Sequence, residues 1–185
     1  MKMAKVTFED KVALNENTDI PNINKCMASD LNELKASINA LYDDRNIMMI
    51  NLDSVQTITT ATETKVLFNN KIFQLGDKLT FENNGIKIGA GVSKVRIDLT
   101  LWLEGRATDT YGAFYIVNSR TGILTYNLKQ YEGKIVWDTA NSYTYADVQE
   151  GDIIFANVRF SVAGNNNAVA GNYKNACLLS VETIE

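Results

Sequence analysis

The residues best suited to chemistry in this sequence are carboxylates. The candidates lie in the strand-rich part of the chain and are Glu82, Asp98, Glu104, Asp109, Asp138 and Asp152. Two converging carboxylates can hydrolyse a glycosidic bond, but the sequence does not show any two of these converging at catalytic separation. Most such charges lie on solvated loops or strand faces. The chain has no histidine, so it lacks the commonest general base and the usual partner of a nucleophile. We therefore expect no catalytic residue and no enzymatic activity.

The glycines, acidic loops and cysteines do not predict a ligand site. The glycines of "GIKIGAGVSK" separate strand-like segments, whereas a phosphate-binding loop opens a helix. The acidic stretch "DTANSYTYADVQEGD" lacks the spacing and the glycine of an EF-hand loop. Cys26 and Cys177 form neither a disulfide framework nor a metal-ligand spacing, which favours two reduced thiols. We expect no metal and no cofactor.

The charge distribution argues against nucleic acid and membrane partners. The formal net charge is -4, and lysines and arginines are scattered without a basic stripe. No run reaches the roughly 20 apolar residues of a membrane span, and the first residues do not resemble a secretion signal. We expect a protein made in a cytoplasm, without membrane insertion.

Aromatic side chains are the stronger functional signal. Tyrosine and tryptophan pack against sugars and dominate protein interfaces. The candidates for a receptor, glycan or subunit contact are Trp102, Tyr111, Tyr115, Trp137, Tyr143 and Tyr145, with Tyr126 and Tyr131 nearby. Packing in the core or between subunits is the alternative use for most of them.

These aromatics belong to a strand-rich region, which we assign to residues 65–185. In "KVRIDLTLWLEG" apolar and polar residues alternate, as in a half-buried strand. The Asn-Asn pairs of "KVLFNNKIFQLG" and "LTFENNGIKIG" suggest hairpins, since asparagine and glycine accept positive φ. Further strand-like runs recur at short intervals up to the C terminus. The pattern predicts a mainly β fold, an antiparallel sandwich.

A helix is predicted before the sandwich, at residues 29–56. Ser29 or Asp30 can cap it, and Glu33 completes a capping box. The expected seam consists of Leu31, Leu34, Ile38 and Leu41, and the same register continues through Arg45, Met48, Leu52 and Val55. So narrow a stripe favours helix-to-helix packing, although packing on its own domain is the alternative. Residues 57–64, rich in threonine, form the expected linker.

Residues 1–28 read as an extended arm. Isolated apolar residues, namely Val6, Phe8, Val12, Leu14, Ile20 and Ile23, stand among polar ones. Their regular spacing suits shallow pockets on a partner, and a disordered tail is the alternative.

The strand-rich region resembles the trimeric jelly rolls of the tumour necrosis factor and complement globular-head type, particularly those of phage and prophage proteins. The resemblance lies in "DKLTFENNGIKIGAGVSKVRIDLTLWLEG", "VQEGDIIFANVRFSVAG" and the closing "ACLLSVETIE". It implies a jelly roll and a homotrimer, while a plain β-sandwich is the alternative.

The leader is similar to the N-terminal attachment segment of phage virion proteins. It shares the phrase "F-x-D-K-V-x-L-N", then "I-x-x-I-N-K-x-x-A-x-D-L-N-E-L-K". This implies a virion structural protein whose arm docks on capsid or tail proteins through Phe8, Val12, Leu14, Ile20 and Ile23. The expected protein is a trimeric head fibre or decoration protein, with adhesion to a host receptor or glycans through the jelly roll.

Three alternatives remain at this stage. A tail or baseplate receptor-binding protein would share the architecture and differ only in the docking partner. A glycan-degrading tail enzyme needs a converging carboxylate pair. A cellular cytokine-like ligand predicts a signal peptide and disulfides.

Overall fold

One helix and thirteen strands make up the described part of the chain. The computed structural model describes residues 28–43, 45–59, 61–105, 110–131, 136–161, 167–170 and 176–184. The elements are α1 (Ala28–Asp43), β1 (Ile47–Asn51), β2 (Val55–Ile58), β3 (Thr64–Lys65), β4 (Asn70–Leu75), β5 (Leu79–Glu82), β6 (Gly85–Ile88), β7 (Lys94–Gly105), β8 (Thr110–Asn118), β9 (Gly122–Tyr131), β10 (Val136–Asp147), β11 (Ile153–Phe160), β12 (Asn167–Ala170) and β13 (Leu178–Thr183).

The strands form two antiparallel sheets. The seven-stranded sheet has the order β2-β12-β7-β13-β1-β4, and β10 pairs along the other edge of β7. The six-stranded sheet has the order β5-β6-β11-β8-β9, with β3 also paired to β11. Strands distant in sequence are neighbours in both sheets, so the fold is an antiparallel sandwich of the predicted class.

The core lies between the sheets and is built by alternation along the strands. On β7 the side chains of Val95, Ile97, Leu99, Leu101 and Leu103 are all buried, as the sequence pattern predicts. Phe114 and Phe160 reach the same cluster from the six-stranded sheet. Burial of each large apolar side chain contributes about 1.5–3 kcal/mol relative to leaving it in water. The polar residues between them therefore form the outer faces.

The predicted helix of residues 29–56 is too long. The helix ends at Asp43, and Met48 and Leu52 are buried core residues, Met48 on β1 and Leu52 just after it. Val55 begins β2, so Arg45, Met48, Leu52 and Val55 form no helical seam. The physical reason is sheet pairing: β1 hydrogen-bonds to both β13 and β4, which satisfies its backbone on two sides.

The predicted linker and domain start are also wrong. Residues 57–64 include the end of β2 and the first residue of β3. The sandwich therefore begins before Lys65, since β1 and β2 belong to the seven-stranded sheet.

Only one of the two predicted hairpins forms. Asn83 and Asn84, with φ of 50° and 56°, connect β5 to β6, the left-handed turn that the Asn-Asn-Gly sequence favours. The other Asn-Asn pair makes no hairpin, because β3 pairs with β11 and β4 pairs with β1. The intervening chain instead crosses between sheets and buries Val66 and Phe68.

One glycine is required by a close approach. Gly76 has φ of +73°, and a Cβ atom there would lie 2.0 Å from Oδ1 of Asn46. That buried amide oxygen accepts hydrogen bonds from the backbone nitrogens of Asp77 and Lys78, each at 3.1 Å. Asn46 thereby fixes the chain between β4 and β5 against the start of β1.

No helix in the part of the chain that the structure describes has the length and apolar content needed to cross a bilayer.

Candidate functional site

The candidate aromatics divide between the outer faces of the two sheets. Tyr143 and Tyr145 lie on β10 and alternate with Ala140 and Ala146, which are buried in the core. Tyr143 is 69% exposed, and Tyr145 is also exposed. Both tyrosines therefore point away from the sandwich on the outer face of the seven-stranded sheet.

Tyr143 and Tyr145 stand opposite a charged pair on β7. In the register of the two strands, Tyr143 faces Asp98 and Tyr145 faces Arg96. Arg96 Nε and Asp98 Oδ2 lie 3.0 Å apart, and this hydrogen bond raises the pKa of the Arg96 guanidinium. The guanidinium of Arg96 therefore stays charged beside the two phenol rings.

Trp102 lies on the same strand as Arg96 and Asp98 and is half-buried. Its side chain packs against the core cluster, and its backbone nitrogen donates to Sγ of Cys177 at 3.3 Å. Burial raises the pKa of the Cys177 thiol to about 11. Trp102 thus has more of a packing role than the neighbouring tyrosines.

A second aromatic group covers the outer face of the six-stranded sheet. Tyr115 on β8 is directly opposite Tyr126 on β9, and their ring centroids are 6.2 Å apart with an interplanar angle of 34°. Tyr126 is 60% exposed, and Tyr115 is half-buried. Two side chains of strand β9, Ile123 and Leu128, are exposed on either side of Tyr126.

Polar and charged side chains border this tyrosine pair. Asn157 on β11 is directly opposite Tyr115, and its Nδ2 donates to Oε2 of Glu63 at 3.3 Å. Arg159, the next outward residue of β11, donates from Nε to the carbonyl oxygen of Ala61 at 2.8 Å. We call Tyr115, Tyr126, Asn157, Arg159 and Glu63 the tyrosine platform.

The electrostatics of the tyrosine platform follow from these neighbours. Burial chiefly, and then the negative charge of Glu63, raises the pKa of the Tyr115 phenol, so its hydroxyl is protonated at neutral pH. Lys65 lies beyond Asn157, with Nζ 4.2 Å from the centre of the Phe155 ring. Burial lowers the pKa of this lysine.

The other sequence-predicted candidates do not join either group. Tyr111 lies on the same face as Tyr115, at the start of β8, and is exposed. Trp137 falls on β10, but its side chain lies outside what the structure describes. The arm residues Phe8, Val12, Leu14, Ile20 and Ile23 also lie outside the described residues.

The structure describes three of the four predicted seam side chains, and all three lie on helix α1. Leu34 is 57% exposed, and Leu31 and Ile38 are half-buried. Leu41 belongs to α1, although its side chain is not among those described. The seam is therefore open to solvent at Leu34 in the isolated chain.

Three of the six candidate carboxylates have described side chains, and each of the three pairs with a cation. Glu82 pairs with Lys87 at 2.9 Å, and Asp98 pairs with Arg96. Asp152 is only 3% exposed and receives both Nε and Nη2 of Arg120, at 2.8 and 2.9 Å. Asp109 and the side chains of Glu104 and Asp138 lie outside the described residues. Within the described residues, no three histidine, cysteine or acidic side chains converge as metal ligands do.

Comparison with known proteins gives matches at the level of structure. No family model and no curated protein matches the chain. Three crystal structures of murine APRIL, at pH 5.0, 8.5 and 8.0, match with TM-scores of 0.59, 0.56 and 0.57 and 11–12% identity. Each match covers 76% of this chain and 99% of that chain.

The fold is a tumour-necrosis-factor-like jelly roll. The fold part of the predicted resemblance is thereby confirmed, and identities this low establish the fold alone. In this jelly roll β9 and β10 are edge strands of the two sheets, and Nδ2 of Asn127 lies 3.5 Å from the carbonyl oxygen of Asn141 across them. The two tyrosine groups thus flank the same edge of the sandwich.

Sequence reasoning missed several members of the tyrosine platform. Tyr126 was visible as one aromatic among many, but Asn157, Arg159 and Glu63 gave no signal of their own. Their neighbourhood depends on β11 pairing with both β3 and β8, contacts between segments far apart in the chain.

Proposed function

We propose that this chain is a structural protein of a bacteriophage virion, a homotrimeric head fibre or decoration protein without enzymatic activity. Its N-terminal segment docks on capsid or tail proteins, and its jelly roll projects outward for adhesion to host glycans or a surface receptor. The tumour-necrosis-factor-like fold supports a trimeric binding head. The virion-type leader supports the attachment role.

The observation that carries the trimer is the exposure of Tyr143 and Tyr145 on edge strand β10. In the transverse row of Tyr143, the same sheet face holds Asp98 on β7 and Ser180 on β13, followed by two half-buried apolar residues, Met49 on β1 and Phe73 on β4. Exposed aromatic side chains are common anchors of subunit interfaces. A threefold assembly would cover this face in every copy.

Helix α1 offers a second subunit contact for the proposed trimer. Leu31, Leu34 and Ile38 recur at steps of three and four residues, so they follow one side of α1. In a trimer, three such helices would bury their seams against one another, including the exposed Leu34.

The test compares two substitutions that each add a negative charge to the full chain, and it measures the oligomeric state by light scattering after size exclusion. Leu34→Asp should dissociate the trimer or weaken it strongly, because a charge on a buried seam costs at least about 2 kcal/mol per chain. Ala36→Asp is the matched control, since Ala36 is exposed and lies off the seam. A monomeric wild-type chain contradicts the proposed trimer. Equal trimer stability in both variants would remove the helix from the interface.

The attachment role is tested on particles. Gold-labelled antibodies against the chain should decorate the heads of virions released from a host that carries this sequence. Labelling of tails would instead establish the alternative, a tail or baseplate receptor-binding protein. Absence of the chain from purified virions would overturn the virion role.

A further inference from the structure

The outer face of the six-stranded sheet is not required by the proposed trimer contact on the seven-stranded sheet. It nevertheless carries two adjacent tyrosines and exposed aliphatic side chains at Ile123 and Leu128. An apolar surface with a polar border marks a binding site more often than a simple solvated face. The polar border determines which ligand chemistry this face would recognise.

The tyrosine platform has unused hydrogen-bonding capacity. Among the described residues, the hydroxyls of Tyr115 and Tyr126 make no hydrogen bond, and Arg159 bonds only through Nε, to the carbonyl of Ala61. The carboxylate of Glu63 accepts one long bond, from Asn157. Phenol hydroxyls, a guanidinium fork and a carboxylate together can bind hydroxyl and carboxylate groups of a ligand.

The charge of the platform favours an acidic ligand. Arg159 carries a positive charge and Glu63 a negative one. Lys65, opposite Asn157 on β3, adds a second positive charge next to the platform, with its Nζ 2.6 Å from the carbonyl oxygen of Asn83. The exposed end of Arg159 presents two nitrogens with the geometry that matches a carboxylate. The two positive charges exceed the one negative charge on this face, which favours an anion there.

The aromatic rings favour a ring-shaped ligand with an apolar face. Two tyrosines with centroids 6.2 Å apart offer flat surfaces for the C–H face of a sugar, while their hydroxyls remain available at the rim. A peptide anchor would use the same apolar contacts but needs a pocket for its side chain. The platform lies on the pleated surface of a sheet instead.

We propose that the tyrosine platform binds an oligosaccharide that carries a carboxylate. The sugar ring stacks on Tyr126 and Tyr115, the carboxylate pairs with Arg159, and ring hydroxyls donate to Glu63. This inference specifies the ligand class of the adhesion role and rests on that part of the proposed function.

The experiment titrates the full chain, by calorimetry, with oligosaccharide pairs that differ in one carboxylate. Suitable pairs are trigalacturonic acid with its methyl ester, and sialyllactose with lactose. At least one acidic member should bind more tightly than its neutral counterpart. Arg159→Gln should weaken that binding roughly tenfold, the usual effect of losing a hydrogen bond to a charged group, and Tyr126→Ala should weaken it roughly three- to tenfold.

The controls separate the site from the assembly. Arg45→Gln removes an exposed arginine that pairs with Glu182 at 2.9 Å, away from the platform, and should leave binding unchanged. The site is overturned if no acidic member binds, if neutral members bind equally well, or if Arg159→Gln has no effect. Light scattering on the same samples reports the trimer independently. A trimer that fails to bind refutes the platform alone, and a binding monomer refutes the trimer alone.

Discussion

The buried carboxylate of Asp152 should be one of the strongest polar contributors to the stability of the jelly roll. It accepts four hydrogen bonds: from Nε and Nη2 of Arg120, from Nδ2 of Asn118 at 2.9 Å and from the backbone nitrogen of Gln149 at 3.1 Å. Oδ1 of Asn118 in turn accepts from the backbone nitrogen of Arg120 at 2.8 Å. This network ties the β8–β9 turn to the turn before β11.

Asp152→Asn is the informative substitution because it changes charge without opening a cavity. Every neighbour of the carboxylate is a donor, so the new amide group must direct its NH₂ at another donor. Breaking a buried ion pair costs about 3–5 kcal/mol, and since Arg120 can return to solvent we expect about 3 kcal/mol. Asp147→Asn is the control: this carboxylate is 90% exposed and 3.9 Å from Lys94, so the change should be at most about 0.5 kcal/mol.

The assay is urea unfolding followed by tryptophan fluorescence at one fixed protomer concentration, because assembly contributes to apparent stability. The Asp152→Asn midpoint should fall by about 1–2 M urea relative to the wild-type chain. A free energy of unfolding for Asp152→Asn within about 1 kcal/mol of the wild-type value would contradict a strongly stabilising carboxylate. An equal loss in Asp147→Asn would contradict it as well.

The pH dependence gives an independent check. Burial raises the pKa of Asp152, but hydrogen bonds from Arg120, Asn118 and Gln149 together outweigh burial, so the pKa lies below the ordinary 3.8. Its contribution is therefore fully present above pH 3.8 and is lost as the pH falls through the lower, folded-state pKa. The stability gap between wild type and Asp152→Asn should narrow over that acidic range. A gap that stays constant would contradict the assignment.

Three further predictions concern packing. Gly76→Ala should destabilise the chain by more than about 2 kcal/mol, because the new Cβ would meet Asn46. The control Gly91→Ala also has positive φ but has open space around it, so it should cost only about 1–2 kcal/mol of backbone strain. Equal urea midpoints for the two variants would contradict the close contact at Gly76. Phe114→Ala should lower the free energy of unfolding by about 3–5 kcal/mol in the same urea assay, since Phe114 belongs to the buried core cluster. A loss below about 1 kcal/mol would contradict that placement. Cys177 should resist iodoacetamide at neutral pH until urea unfolds the chain, because burial raises its pKa to about 11. Mass spectrometry measures the labelling, and labelling of Cys177 in the folded protein would contradict this prediction.

The alternation on β7 was readable from the sequence because a polar residue, or Trp102 between Leu101 and Leu103, separates each buried residue from the next. The region after α1 was harder, because two periods coexist there. Met48 and Leu52 fit a helical seam, but Met48, Ile50 and Leu52 also recur at every second residue, and all three are buried. Because β1 pairs with β13 and β4, the segment forms a strand and not a helix. The local sequence does not predict that long-range pairing.

The candidate site was harder to predict for the same reason. The sequence shows that tyrosines are plentiful between Tyr111 and Tyr145, but the face on which each one lies depends on strand register. Tyr115 and Tyr126 meet because β8 and β9 form a hairpin, while Asn157 joins them only through the pairing of β11 with β8. A one-residue slip in that register would move Asn157 to the core and a valine, Val158, to the surface.

If the proposed function holds, the division of the tyrosines between two faces lets assembly and adhesion coexist in one small sandwich. Tyr143 and Tyr126 lie on different sheets, with the hydrophobic core between those sheets. Had both aromatic groups occupied one face, a trimer contact would bury the surface that a ligand needs. Their placement on opposite outer faces means that a ligand can reach Tyr126 without displacing a subunit packed on Tyr143. In the proposed function, strand β10 would serve assembly through the seven-stranded sheet, and strand β9 would serve ligand binding through the six-stranded sheet.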